Sequence, residues 1–335
     1  MDIKQRLHKI RKIVFFLLPF ILLYLIFQRV DFSELMVNLK KTIPLYIVLG
    51  LGFRPFQILL GGYRWGVLNN YYCKSDLTRR YILRHYWTGL AMGYFTSGNV
   101  GWDAYRVITI GNKITKYIPV IVGIFAEKFI GLFSLLIVGL VTFPLVRGHI
   151  RGDISLYNML YLLLLAGFLC SVFFLYLMTK RHFQRLTDLV KMILDKYISK
   201  IMHSVKLGKF YQNITLDYSA SNSFFSILHN PRLLFSSIVL SLVIITVGAV
   251  STQLIFLGLE YPIPFSVNLF AGPVFLFLLI LPLPFGGLGV REGAYVLFYS
   301  QFGVPLEIAL LVSFFNLFGM VINHIIGAVI MWFNR

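Results

Sequence analysis

The sequence predicts an all-α polytopic membrane protein, with about six transmembrane helices plus two re-entrant broken-helix hairpins arranged as an inverted-topology repeat. Three observations carry this. Of 335 residues, 58% are hydrophobic and only 13% charged, more apolar surface than a soluble core uses. The apolar residues gather in several runs long enough to cross a hydrocarbon layer, which takes about 20 residues of helix. Two further apolar stretches are interrupted near their middles by glycine clusters, at matching distances from spanning helices.

The first run, Ile13 to Phe27, follows Lys4, Arg6, Lys9, Arg11 and Lys12. It resembles a signal-peptide core, but Gln28-Arg29-Val30-Asp31 follows it with no small-residue cleavage site, so a retained first span over 13–28 is expected. Further spans are expected at 43–62, 118–145, 156–178, 233–258 and 308–333. Residues 85–117 and 267–303 are each broken by glycines into halves too short to cross alone, and each is expected to form a re-entrant pair of half-helices. One membrane domain then divides into half-repeats 1–150 and 151–335.

The formal net charge is +18, from 31 Lys and Arg against 13 Asp and Glu. Most basic residues flank apolar runs instead of building a folded basic domain, so they read as topology signals, and a nucleic-acid partner is set aside. The N-terminal tail, the segment with Arg64, Lys74, Arg79, Arg80 and Arg84, and the basic segment 179–232 fall on one side. Positive-inside makes that side cytoplasmic, with both termini there; a cell membrane of prokaryotic type is the expected location. Within the basic segment Phe183, Leu186, Val190, Ile193, Leu194 and Tyr197 recur at helical spacing. This amphipathic helix reads either as an interfacial element on anionic lipid headgroups or as a linker helix packed on the bundle.

The strings GNVGW (Gly98 to Trp102) and GGLGV (Gly286 to Val290) share a G-x-x-G-x frame, followed at once by Asp103 or Arg291. Each begins about 55 residues after the start of a span, at 43 or 233. Inverted copies of this kind are a transporter arrangement; the alternative is coincidence in a chain with 27 glycines. Non-helical backbone cannot face lipid, so Gly98, Gly101, Gly286, Gly287 and Gly289 are expected to turn the chain beside a central cavity. The half-helix after each break would offer free N–H groups to an anion.

Beside the breaks stand the candidate substrate-binding residues Asn99, Asp103, Arg106, Glu127, Arg291 and Glu292, with Lys128 next to Glu127. Ionisable residues within a bilayer usually face a cavity and act there; the alternative is ion pairs stitching half-helices together. Arg106 and Arg291 are expected to hold a phosphate, and Asp103 and Arg291 to meet near the pseudo-twofold axis. Arg54, mid-span, needs a partner, for which Glu127 is the expectation. Asn316, Asn323 and His324 read as interhelical hydrogen-bonding residues. Cys73 and Cys170 have neither disulfide nor metal-site spacing, so no metal or cofactor is expected. With no Walker A, H-E-x-x-H or G-x-S-x-G string, no catalytic residue is assigned and an ATP-driven pump is not expected.

The string LPLPFGGLGVREGAYVLFYSQFGVPLEIAL, Leu281 to Leu310, resembles the C-terminal hallmark of the lysylphosphatidylglycerol synthase transmembrane region, a flippase-like family. Arg64-Trp65, GNVGWDAYR from Gly98 to Arg106, and Glu127 followed by a basic residue resemble its earlier hallmarks, in order. There are departures: Gly101-Trp102-Asp103 stands where the family commonly has Gly-Gly-Asp, and Glu127-Lys128 where it has Glu-Arg. The resemblance implies a stand-alone member without the aminoacyltransferase domain. It implies a translocator, not an enzyme, whose substrate is a phospholipid, aminoacyl-lipid or polyprenyl phosphate lipid. Two alternatives stay open. One is a membrane-embedded transferase acting on a lipid-linked sugar, with Asp103 or Glu292 as its carboxylate. The other is a non-catalytic membrane partner of a separate synthase or glycosyltransferase.

Overall fold

Apolar runs of this length satisfy their backbone inside lipid only by coiling on themselves, and among the described residues every regular element is a helix. The structure is a computed structural model that describes residues 20–94, 99–152, 154–179, 227, 230–279 and 289–333. Residues 20–27 are helical. The rest of the expected first span, and the amphipathic helix expected within 179–232, lie outside the described residues.

Short helix α1 (Phe32–Lys40) starts at Asp31, whose carboxylate accepts the N–H groups of Ser33 and Glu34 at 2.8 and 3.2 Å, an N-cap arrangement. There follow α2 (Pro44–Cys73), α3 (Arg79–Tyr94), α4 (Asn99–Ile114), α5 (Ile118–Val146) and α6 (Ile154–Thr179). After the long basic segment come α7 (Pro231–Gly258), α8 (Phe265–Leu279), α9 (Val290–Ser300) and α10 (Leu306–Trp332). Proline at the first turn starts α2, α5 and α7, where its missing N–H costs nothing.

Helices α2, α5, α7 and α10 are long and apolar enough to cross a membrane, and α6 carries a shorter apolar stretch, Tyr157–Phe173. The chain is a multi-pass membrane protein. Both broken stretches are pairs of half-helices, α3 with α4 and α8 with α9, of 16, 16, 15 and 11 residues.

Two boundaries differ: α3 begins at Arg79, six residues before the expected start at 85, and the end of α2 differs more. Helix α2 continues well past residue 62 and ends at Cys73, so its 30 residues run about 45 Å. Arg64, which the charge count places on the cytoplasmic flank, is inside the helix. Its guanidinium lies 3.5 Å from Glu127 of α5 and donates to the Ser241 hydroxyl of α7 at 2.6 Å, so the charge is accommodated inside the bundle and does not end the span.

In lipid, apolar burial hardly favours one helix pairing over another; close packing and hydrogen bonds decide. The most extensive pairing is α2 with α7, then α3 with α10 and α5 with α8. At the α2–α7 crossing a Cβ on Gly50 would stand 2.9 Å from the carbonyl oxygen of Ser251. The missing side chain lets the Ser251 hydroxyl donate to the Gly50 carbonyl at 2.7 Å. On α10, Asn323 accepts the Trp87 indole N–H of α3 at 3.4 Å. Phe143, Phe270, Phe298 and Tyr299 help pack α5, α8 and α9.

Candidate functional site: a charged interior beside a polar cavity

Among the described residues the interior holds two charged clusters and a polar cavity. In the first cluster Asp103 and Arg106, three residues apart on α4, share a face. The Arg106 guanidinium donates to Asp103 at 2.6 Å and to Glu127 of α5 at 2.7 Å. Arg106 is 1% exposed and Glu127 5%, so this pair is shielded from water. Three aromatic faces surround the cation: Trp65 and Trp102 at 4.8 Å and Tyr86 at 5.2 Å, a cation–π box. Tyr86 also donates its hydroxyl to Glu127 at 3.3 Å, and Arg64 reaches the same carboxylate oxygen at 3.5 Å. Lys128 meets the outer oxygen of Asp103 at 2.8 Å.

Trp102, the departure from the family pattern, has its place in this box. The indole lies against Gly89 of α3, where an added Cβ would stand 2.8 Å from Trp102 Cδ1. Its N–H donates to the Tyr86 carbonyl at 3.1 Å. The extra bulk therefore closes over Arg106.

The second cluster caps a half-helix. Gly289 has φ of +80°, a conformation that glycine adopts without strain. Its N–H donates to Glu292 Oε2 at 2.5 Å, while Glu292 Oε1 accepts from Arg291 at 2.5 Å and from the Ser313 hydroxyl at 3.4 Å. The N–H group expected to await an anion is thus already satisfied by the chain's own carboxylate.

The expected contact between Asp103 and Arg291 does not form, because Asp103 is held by Arg106 and Lys128, and Arg291 by its neighbour Glu292. The expected Arg54–Glu127 pair does not form either, because Glu127 is saturated by Arg106, Arg64 and Tyr86. Arg54 instead donates to Asn316 of α10, to Thr252 of α7 at 3.1 Å and to Gln57 at 3.2 Å. These partners are all neutral. Asn99 opens α4 and Gly101 sits in its first turn, whereas Gly98, Gly286 and Gly287 lie outside the described residues. Asn316 and Asn323 bridge helices as expected, while His324 bonds the Met320 carbonyl of its own helix at 2.7 Å and packs on Tyr94.

Between α2, α5, α7, α8 and α9 lies a cavity of about 410 Å³, with Arg54, Gln57, Arg64, Ser241, Thr252 and Asn268 as its polar lining. Asp103, Arg106, Glu127, Arg291 and Glu292 stand outside this wall. The sequence reading missed Gln57, Arg64, Ser241, Thr252 and Asn268 as cavity residues. Arg64 had a signal: it lies ten positions after Arg54, one long helix carrying both charges.

Spanning helices around ion pairs and a polar cavity define a polytopic membrane protein with a charged, polar interior. The chain belongs to the lysylphosphatidylglycerol synthase TM region family, whose model matches residues 10–327. No curated protein and no solved structure matches it.

Proposed function

We propose that the chain is a lipid translocator, moving an amphiphilic lipid of the phospholipid, aminoacyl-lipid or polyprenyl phosphate class between the leaflets of a cell membrane. The family points to a lipid-related membrane role. The observation that carries the finer reading is the polar cavity inside the bundle, where two arginines stand beside Gln57, Ser241, Thr252 and Asn268. A lipid headgroup needs such a wet, charged passage because crossing the hydrocarbon unaided strands its polar groups.

The half-repeat organisation supports the same reading. Matching α2 with α7, α3 with α8 and α5 with α10 turns the α3–α10 packing into the α8–α5 packing, and both are major contacts. Two halves related this way can rock about a fixed central site. With the basic segments on the cytoplasmic side, the half-repeats have opposite orientations.

Leaflet exchange tests the proposal. Purified chain is reconstituted into vesicles with headgroup-labelled phospholipid or polyprenyl phosphate, and a membrane-impermeant reductant quenches the outer label. Translocation predicts quenching beyond the outer-leaflet half for one lipid class. Protection of the inner half for every lipid, with the protein folded, contradicts it and favours a transferase or a partner of a synthase.

A further inference from the structure

The charges in this interior do not cancel. Around the cavity stand four arginines, Arg54, Arg64, Arg106 and Arg291, against the three carboxylates Asp103, Glu127 and Glu292. Lys128 adds a further cation at Asp103. The arginine left without a carboxylate is Arg54. Among the described residues no carboxylate comes within ion-pair distance of it, its partners are neutral, and its Nε is buried without a hydrogen-bond partner. The Nε atoms of Arg64, Arg106 and Arg291 are orphaned in the same way, but of these three arginines only Arg64 lines the cavity, and its carboxylate contact is a long 3.5 Å. Arg54 lines the cavity too. A cation enclosed by apolar helices without a counter-charge calls for an anion, and a guanidinium with free donors suits an oxoanion.

A second space lies alongside. An apolar cleft of about 410 Å³ runs between α6, α8 and α9, lined by Leu160, Leu163, Val274, Leu297 and Phe298 among others. Phe275 lines both spaces. Its ring stacks on Tyr295 of the polar cavity at 4.7 Å and meets Phe298 of the cleft edge-on at 5.4 Å. One aromatic side chain thus separates a cationic chamber from an apolar one.

We infer that the cavity binds the oxoanion of an anionic amphiphile, its phosphate held at Arg54 with Arg64 as a second station, and its tail in the apolar cleft across Phe275. The inference rests on the translocator reading for its purpose and not for its chemistry. The two arginines are ten residues apart on α2, about 15 Å of helix rise, so they serve successive positions of a headgroup along the membrane normal. The ion-paired Arg106 then holds the wall in place and makes no contact with the lipid.

The test is equilibrium binding to the detergent-purified full chain. Dioleoyl phosphatidylglycerol is the probe, dioleoylglycerol removes the phosphate, and inorganic phosphate removes the tail. Arg54→Gln is expected to weaken phosphatidylglycerol binding at least about tenfold, the scale of a lost charge-assisted contact. Arg54→Lys should restore much of it, and Arg80→Gln, at an exposed position, should leave it unchanged. Gly272→Val keeps every charge and fills the cavity from α8, where an added Cβ meets nothing closer than Leu135 at 3.4 Å; it should weaken binding even if Arg54→Gln fails to fold. Unchanged binding in both Arg54→Gln and Gly272→Val overturns the site. Dioleoylglycerol binding as well as phosphatidylglycerol overturns the oxoanion, and inorganic phosphate binding equally well overturns the lipid source. Arg54-dependent binding without leaflet exchange would uphold this site and remove the translocator; exchange indifferent to Arg54 would do the reverse.

Discussion

Replacing Glu127 with glutamine tests the first charged cluster most severely. The substitution keeps shape and removes charge from a group that holds Arg106 at 2.7 Å and Arg64 at 3.5 Å and accepts the Tyr86 hydroxyl at 3.3 Å. Arg106 would keep one carboxylate, Asp103, which it shares with Lys128. Breaking a buried ion pair by removing one partner costs about 3–5 kcal/mol, because the stranded charge remains desolvated. The three rings over Arg106 offset part of that, about 0.5–2 kcal/mol for a cation–π contact, so the expected loss is about 2–4 kcal/mol. Two of the chain's four tryptophans, Trp65 and Trp102, lie against Arg106, which makes intrinsic fluorescence during unfolding by SDS in mixed micelles a local readout. Removing both charges with Arg106→Met and Glu127→Gln should cost less than Glu127→Gln alone, since Asp103 retains Lys128. A loss below about 1 kcal/mol for Glu127→Gln, the scale of a solvated pair, would refute the picture of a dry cluster.

Three further outcomes follow from close contacts. Gly50→Ala should destabilise more than Ser251→Ala in the same titration: the first drives a methyl to 2.9 Å from a backbone oxygen of α7, while the second deletes one interhelical hydrogen bond worth about 0.6 kcal/mol. Gly289→Ala forces a side chain onto a φ of +80° at a cost of about 1–2 kcal/mol, measurable as a lower unfolding midpoint. Gly89→Ala places a methyl 2.8 Å from Trp102, so the tryptophan emission of the folded protein should shift as the indole leaves Tyr86, with about 1–3 kcal/mol lost to overpacking.

Much of the helical layout was legible because hydrocarbon imposes it: apolar length gives spans, and the two interrupted apolar stretches give pairs of shorter helices, α3 with α4 and α8 with α9. Pairing was less legible. Helical spacing puts Asp103 and Arg106 on one face, but nothing local in the sequence tells whether Glu127 meets Arg106 or Arg54, since that depends on how α5 rotates against α2 and α4. Arg54 misled for a second reason: the expectation of a charged partner does not foresee a cation resting on Asn316, Thr252 and Gln57. Arg64 was misplaced because flanking charges and interior charges look alike until a partner on another helix is known. Trp102 stood out in the sequence only as a departure from the family pattern, and the facing Gly89 explains the room it occupies.

The proposed passage of a lipid headgroup through the cavity lined by Arg54 and Arg64 is checked by headgroup-quenching exchange in vesicles holding either the unaltered chain or Gly272→Val, whose charges are intact and whose cavity is filled. Rapid exchange is expected with the first and loss of most of it with the second, both proteins being equally folded. Equal exchange rates for the two would contradict it, because the lipid would then be crossing by another route.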